Sequence, residues 1–286
     1  MSSRVLFSVI LGVLVTLLAA CKGGQKHAYT PADEQLIQEQ AADTLQSDSL
    51  SASLSEEDAP MPIAADELFD DFFFNYAASK RLQLERTRFP LPVMRNDEAQ
   101  QPIEKRQWKM EPFFMKQDYY TLIFDSPQQL DLVNDTALNH AVVERIMFSG
   151  GEVCSYCFDR LRGAWMLTQI VYQPLSHNPN AQFLSFYERF VSDSTFQRQS
   201  LAKEITFVSP DPDDDFQTVE GTITPEQWDA FAPELPQGDL FNIVYSKQHP
   251  AAMRKIFIIR GIANGLEVEV TFHLQKGRWR LTKLST

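Results

Sequence analysis

Aromatic residues fall at helical spacing in two places along the chain. Phe69, Phe72, Phe73 and Tyr76 stand at i, i+3, i+4 and i+7, and Phe183, Phe186, Tyr187 and Phe190 repeat the stripe 114 positions later. That spacing sets four rings on one face of an amphipathic helix. Further landmarks recur in the same order: Leu82 and Gln83 are answered by Phe196 and Gln197, Trp108 by Trp228, and the apolar run 120–124 by 241–245. The closing segments agree as well, with Phe158, Gly163, Trp165, Leu167 and Thr168 matched by Phe272, Gly277, Trp279, Leu281 and Thr282. Ordered matches at a near-constant offset predict a tandem duplication. Unit 1 covers 66–173 and unit 2 covers 183–286, joined by a linker at 174–182 that holds Pro174 and Pro179.

Within each unit the period changes from helical to alternating. Pro90 and Pro92 end the helical region of unit 1, because proline lacks an N–H and disfavours helix before it. A second short helix surrounds the Trp. In unit 2, Thr224, Pro225 and Glu226 suit its start, a capping hydroxyl followed by Pro at the first helical position. Strands follow. Residues 256–260 are largely apolar, whereas Leu266, Val268, Val270, Phe272 and Leu274 alternate with polar neighbours. A two-residue turn at Lys276-Gly277 pairs Phe272 with Leu281 and Leu274 with Trp279, which puts all four on one face. Arg162-Gly163 does the same for Phe158 and Leu167. Helices first and antiparallel strands afterwards make each unit α+β.

The front of the chain has a different pattern. Arg4 precedes an apolar run at 5–18, too short and wrongly flanked for a spanning helix and expected to be a signal peptide over 1–20. Residues 21–65 lack apolar periodicity. From 22 to 66 there are two Lys against nine Asp and Glu, so the segment reads as a disordered acidic tether. As a flexible coil it would average roughly 35–40 Å end to end. The formal charge of −12 argues against a nucleic-acid or anionic-membrane surface. The 21 Phe supply a core. Apart from Cys21 the thiols are Cys154 and Cys157, too few for a disulfide framework, so the units must be stable through packing.

Leu18-Ala19-Ala20-Cys21 resembles the lipobox of bacterial lipoproteins. That resemblance implies diacylation of Cys21, cleavage before it, and membrane contact through the N-terminal acyl chains only. Lys22 follows where some bacteria read Asp as an inner-membrane retention signal, and no acidic run comes directly after Cys21. The expected location is the cell envelope, at the periplasmic face of the outer membrane. An aromatic helix packed into a curved antiparallel sheet, closed by an aromatic-x4-Gly-x-Trp-x-Leu hairpin, is similar to the nuclear transport factor 2-like fold. That cone-shaped, cystatin-like α+β roll includes ketosteroid isomerases, dehydratases and pocketed proteins without known activity. With Gln83, Arg86 and Phe89-Pro90-Leu91 after the first helix, the chain also looks like a family of gut-type bacterial lipoproteins classed as a domain of unknown function. The fold implied is two tandem cone-like units, each an aromatic helix plus a short helix on a curved sheet.

Candidate chemistry is thin. Cys154 and Cys157 form a CxxC running into the strand of Phe158, where residues three apart point to opposite faces and cannot easily meet. Zinc would need two more ligands, and no second CxxC or HxxxH is present; structural cysteines are expected. Asp211, Asp213, Asp214 and Asp215 do not fit a calcium loop, because Phe216 and Thr222 stand where Gly and Glu are needed. They read as a solvated loop. The polar face of 266–274 carries Glu267, Glu269, Thr271 and His273, with Arg280 expected opposite His273 and Thr282 opposite Thr271. The positions matching His273 and Glu269 are Asp159 and Ser155, so polar groups differ between copies while aromatics are kept. His140 falls in a polar, loop-like stretch and is assigned no role.

The leading expectation is a non-catalytic envelope lipoprotein that binds a small molecule or an envelope protein through its cones or the groove between them. It has no assigned catalytic, cofactor or metal residues and no nucleic-acid partner. The rivals are a cone-fold hydrolase, dehydratase or isomerase acting on an apolar substrate, and a structural envelope protein whose aromatics fill the cones. A buried carboxylate or His beside Tyr or Asp in an open cone would favour catalysis.

Overall fold

The aromatic stripes do form helices. In the computed structural model, which describes residues 66–286 apart from Ala263 and the side chain of Asp215, α1 spans Phe69–Ala78 and α3 spans Ala181–Ser192. The signal peptide, Cys21 and the acidic tether fall outside the described residues. Each aromatic helix ends at a side chain that caps the next one. Ser79 Oγ accepts the Leu82 N–H at the start of α2 (Lys80–Glu85), and Asp193 Oδ1 accepts the Phe196 N–H at the start of α4 (Ser194–Gln199). The first break therefore lies well before Pro90. Helix α5 is shorter than expected at its front: it spans Trp228–Phe231, and Thr224–Gln227 form a turn closed by Gln227 N–H on the Thr224 carbonyl. In the first half, Trp108 follows a single 3-10 turn at Lys105–Gln107.

Twelve strands form one sheet. They are β1 (Val93–Arg95), β2 (Glu98–Ala99), β3 (Tyr119–Phe124), β4 (His140–Met147), β5 (Glu152–Leu161), β6 (Ala164–Pro174), β7 (Leu201–Asp211), β8 (Asp214–Ile223), β9 (Leu240–Val244), β10 (Arg254–Gly261), β11 (Glu267–Gln275) and β12 (Arg278–Ser285). The order is β2-β1-β6-β5-β4-β9-β3-β10-β11-β12-β7-β8. It reads alike from both ends, but the halves are not side by side. β9, from the second half, pairs with β4 of the first, and β3 pairs with β10 of the second, while β3 and β9 lie parallel to each other at the centre. The stretch expected as a linker is mostly structured, since β6 runs to Pro174 and α3 starts at Ala181.

The exchange explains why residues 256–260 read as a continuous apolar run. Ile256 and Ile258 face a core built on α1, whereas Phe257 and Ile259 face one built on α3. The two aromatic helices therefore lie on opposite faces of the sheet, and the central strands are buried on both. The cores repeat their contacts closely. Phe69 meets Trp165 edge-on at 5.0 Å and 74°, and Phe183 meets Trp279 at 5.5 Å and 75°. Tyr76–Phe158 and Phe190–Phe272 are both at 5.3 Å and 88°. Gln83 and Gln197 each accept an indole N–H, from Trp108 (3.2 Å) and Trp228 (3.1 Å). These rings fill both cores.

Both closing hairpins have the expected register next to the turn: Phe272 pairs with Leu281, Leu274 with Trp279, and Phe158 with Leu167. Arg162, Gly163, Lys276 and Gly277 have φ of 54°, 84°, 49° and 75°, the left-handed pair a type I′ turn requires and glycine supplies without strain. One position further the register departs from expectation. A bulge shifts Thr271 opposite Lys283, not Thr282, and the first half has the matching shift between Cys157 and Phe158. The extra residue is Thr282 in one half and Thr168 in the other, and each hydroxyl lies within reach of the facing carbonyl, on Thr271 and Cys157. A bulge re-aims side chains, and here it turns a threonine toward the polar face.

Candidate functional site

With the aromatics facing inward, each half turns the opposite, polar face of its strands outward, and each such face carries a cavity. The larger encloses about 600 Å³. Its floor comes from β4, β5 and β6 through Val142, Glu144, Ser155, Cys157 and Val171. Walls come from the loop before β4, where Leu138 lies, from Pro179, and from Val244 to Gln248 after β9. The smaller, about 380 Å³, lies over β10, β11 and β12 and is lined by Ile256, Glu269, Thr271, His273 and Thr282. The polar face expected to be merely wet thus lines a cavity, and Thr271 is buried. Ile256, Glu269 and Thr271 occupy the positions that Val142, Ser155 and Cys157 hold in the first half.

Each polar face has a polar trio at matching positions; all three members line the smaller cavity, whereas only His140 lines the larger. In the first half His140 Nδ1 lies 2.7 Å from Asp159 Oδ1, and Thr168 Oγ1 lies 2.6 Å from Asp159 Oδ2. Burial opposes ionisation of Asp159, but the Thr168 and His140 hydrogen bonds outweigh it and hold the carboxyl below its ordinary value. In the second half Arg254 Nε donates to His273 Nε2 at 3.0 Å, and His273 Nδ1 lies 2.8 Å from Thr282 Oγ1. Arginine only donates, so the ring is neutral with its proton on Nδ1. Burial, with Arg254 beside it, pushes the His273 pKa down. His140 was expected in a loop, yet it is the first residue of β4 and pairs across to Asp159. Arg280 stands opposite His273 as expected, Glu267 is paired with Arg260 and Glu269 with Lys283.

Glu144, which no sequence motif singles out, is the buried carboxyl group of the larger cavity. Its Oε1 accepts from Asn178 Nδ2 at 2.8 Å and its Oε2 from Asn242 Nδ2 at 3.0 Å. Asn178 is fixed in that orientation because its Oδ1 accepts the Asn180 N–H at 2.8 Å. Burial raises the Glu144 pKa, against the weaker pull of the Asn242 and Asn178 hydrogen bonds. Lys255 on β10 is also buried and is committed to Asp125 Oδ1 and Asn180 Oδ1, both at 2.5 Å. The signal for Glu144 was present: it interrupts the apolar stretch 141–146, and the matching residue in the second half is Ile258.

The two cysteines behave as the strand argument requires. Both are free, Cys154 in the α1 core and Cys157 on the cavity side. Burial pushes each thiol up to about 11, which leaves the nucleophilic thiolate scarce near neutrality. Among the described residues neither Ser155 nor Cys157 hydrogen-bonds to His140, so no nucleophile–base pair is assembled in the cavity. A carboxylate with tyrosines does occur inside the first cone: Asp70 accepts from Tyr120 Oη at 3.0 Å and from Tyr245 Oη. Burial raises the Asp70 pKa against those bonds, but both tyrosines belong to the packed core, and neither cavity includes Asp70. The acidic stretch at 211–214 is the β7–β8 turn, where Asp211 Oδ1 accepts the Asp213 N–H. Among the described residues no group of three His, Cys, Asp or Glu is placed to hold a metal ion.

The family model described as "Domain of unknown function (DUF4348)" matches residues 46–286. A crystal structure of an NTF2-like protein from Bacteroides fragilis is similar at 41% identity and a TM-score of 0.73, covering 79% of this chain and 98% of that one. The nuclear transport factor 2-like fold expected from the closing hairpins is therefore present. No curated protein matches the chain.

Proposed function

Since the chain belongs to the DUF4348 family, whose description assigns no function, we propose that it is a lipid-anchored, non-catalytic envelope protein that binds a small molecule, the anchor argued from the sequence around Cys21 and the binding from the cavity. The binding place is the 600 Å³ cavity over Glu144, not the interior of the cones. One observation carries this reading: a buried carboxylate opens onto a cavity of ligand-binding size, which for small molecules is about 300–1,000 Å³. Leu138, Val142, Val171 and Val244 give the lining apolar surface among its polar residues, the mix that covers a ligand and also orients it. The matched polar trios and ring contacts also support descent of the two halves from one duplicated unit. The filled cones favour the second reading, a structural envelope protein.

Two measurements test the proposal. Metabolic labelling with an alkyne fatty acid should mark the wild type and not Cys21→Ala; equal labelling of both sinks the anchor. Native mass spectrometry of the full-length protein from its own envelope should show a small-molecule adduct. That adduct should disappear in Val142→Trp and in Val171→Phe, which fill the cavity. An adduct-free wild type favours the structural role.

A further inference from the structure

We propose that the cavity over Glu144 selects ligands carrying an organic cation, a primary ammonium or guanidinium, on an apolar body. The inference rests on the binding reading above and names its ligand class. Packing does not need the carboxylate, because the matching position in the other half is filled by Ile258, a buried apolar residue. Burying a charge without a partner is costly, yet Glu144 takes part in none of the ion pairs among the described residues. The buried Lys255 is held by Asp125 and Asn180. Lys247 stands exposed at the rim, and His140 is engaged by Asp159.

The two asparagine amides occupy one acceptor direction on each carboxylate oxygen. A carboxylate offers about four such directions, so a donor group entering the cavity finds acceptors already oriented. Asn178, locked by the Asn180 N–H, cannot turn its carbonyl toward Glu144 without losing that bond. Two further carboxylates lie near Glu144. Asp135 lines the cavity and Asp159 stands behind His140, and after burial the charges of Asp159 and Glu144 help raise the Cys157 thiol. A carboxylate or phosphate ligand would further oppose ionisation of Glu144, which burial already disfavours. A cation would complete the pair, and the apolar walls would cover its hydrocarbon part.

Isothermal titration of the full-length protein with hexylammonium, hexanol and hexanoate tests this directly. The wild type should bind hexylammonium about tenfold or more tightly than hexanol, since charge-assisted hydrogen bonds are roughly twice as strong as neutral ones. Hexanoate should bind weakest. Glu144→Gln should lose the preference for hexylammonium over hexanol, while Val142→Trp should lose binding of both. Equal affinity for the alcohol and the ammonium in the wild type, or a preference that survives in Glu144→Gln, overturns the cation proposal and leaves the cavity reading standing. If none of the three probes binds the wild type, or binding survives in Val142→Trp, the cavity reading falls and this inference with it.

Discussion

The two outer faces use one backbone and different chemistry. On the first, His140, Asp159 and Thr168 are joined through a carboxylate; on the second, Arg254, His273 and Thr282 occupy the same three positions and are joined through an imidazole. Inside, Asp70 with its two tyrosines is matched by the apolar Leu184, but the ring pairs keep their angles and nearly their spacing. Close-packed interiors tolerate little change in shape, whereas a partly solvated face accepts any polar group that finds a partner. The positions that differ are therefore where ligand preference can diverge, and the positions that agree are where stability resides.

The strongest way to break the comparison is to remove matched rings. Trp165 and Trp279 are both buried, and neither indole N–H has a partner, so their loss is mainly one of packing, with the Arg160 guanidinium 5.2 Å over the Trp165 ring as an added contact. Trp165→Ala and Trp279→Ala should each cost about 3–5 kcal/mol in urea unfolding. A cost under about 1 kcal/mol for one of them would show that the two cores are not equivalent. Gln83 and Gln197 give a finer test. Gln83 bonds the Glu111 carbonyl and N–H as well as Trp108, whereas Gln197 bonds the Phe190 carbonyl and Trp228. Gln83→Ala should cost about 2–3 kcal/mol and Gln197→Ala about 1–2, and equal costs would mean that the extra bonds to Glu111 contribute nothing.

The smallest effects lie on the outer faces and depend on pH. The His273 pKa is pushed below its ordinary 6.5, so between that value and its folded one the unfolded chain binds the proton more readily. Stability should fall as pH drops from 6.5 through that window. Asp159 is held below 3.8, so its contribution is present above 3.8 and is lost only as pH falls through its lower folded value. His273→Gln should flatten the melting temperature in the first window and Asp159→Asn in the second. Each change should amount to under about 1 kcal/mol, because both groups are partly solvated. If the two variants flatten the same window, the matched trios do not titrate as the geometry requires.

Local order was legible in the sequence because it is carried by neighbours. The stripe of Phe69 to Tyr76, the turn at Lys276-Gly277 and the opposed faces of Cys154 and Cys157 all follow from periods of a few residues. Gln83 and Trp108 could be matched to Gln197 and Trp228 by their repetition, although their bond could not. The partners of β3 and β9 were not legible. Both strands are apolar on two faces, so alternation sets no register and either half could have supplied the neighbour. The bulges at Thr168 and Thr282 escaped because their cause is a side-chain bond to the facing strand. Glu144 escaped for a similar reason: Asn178 and Asn242, which hold it, come from distant parts of the chain.

The exchange of β3 and β9 also governs how the chain becomes a protein. During synthesis β4 emerges long before β9, and β3 must wait for β10, so the early half leaves the ribosome with its inner edge open. Contacts between segments far apart in sequence slow folding, and an unpaired edge invites a strand from another chain. An exchange of β9 between two molecules would close the same edges. Truncation after the first half would fix that open edge permanently, so the two halves, for all their likeness, mature as a single cooperative unit.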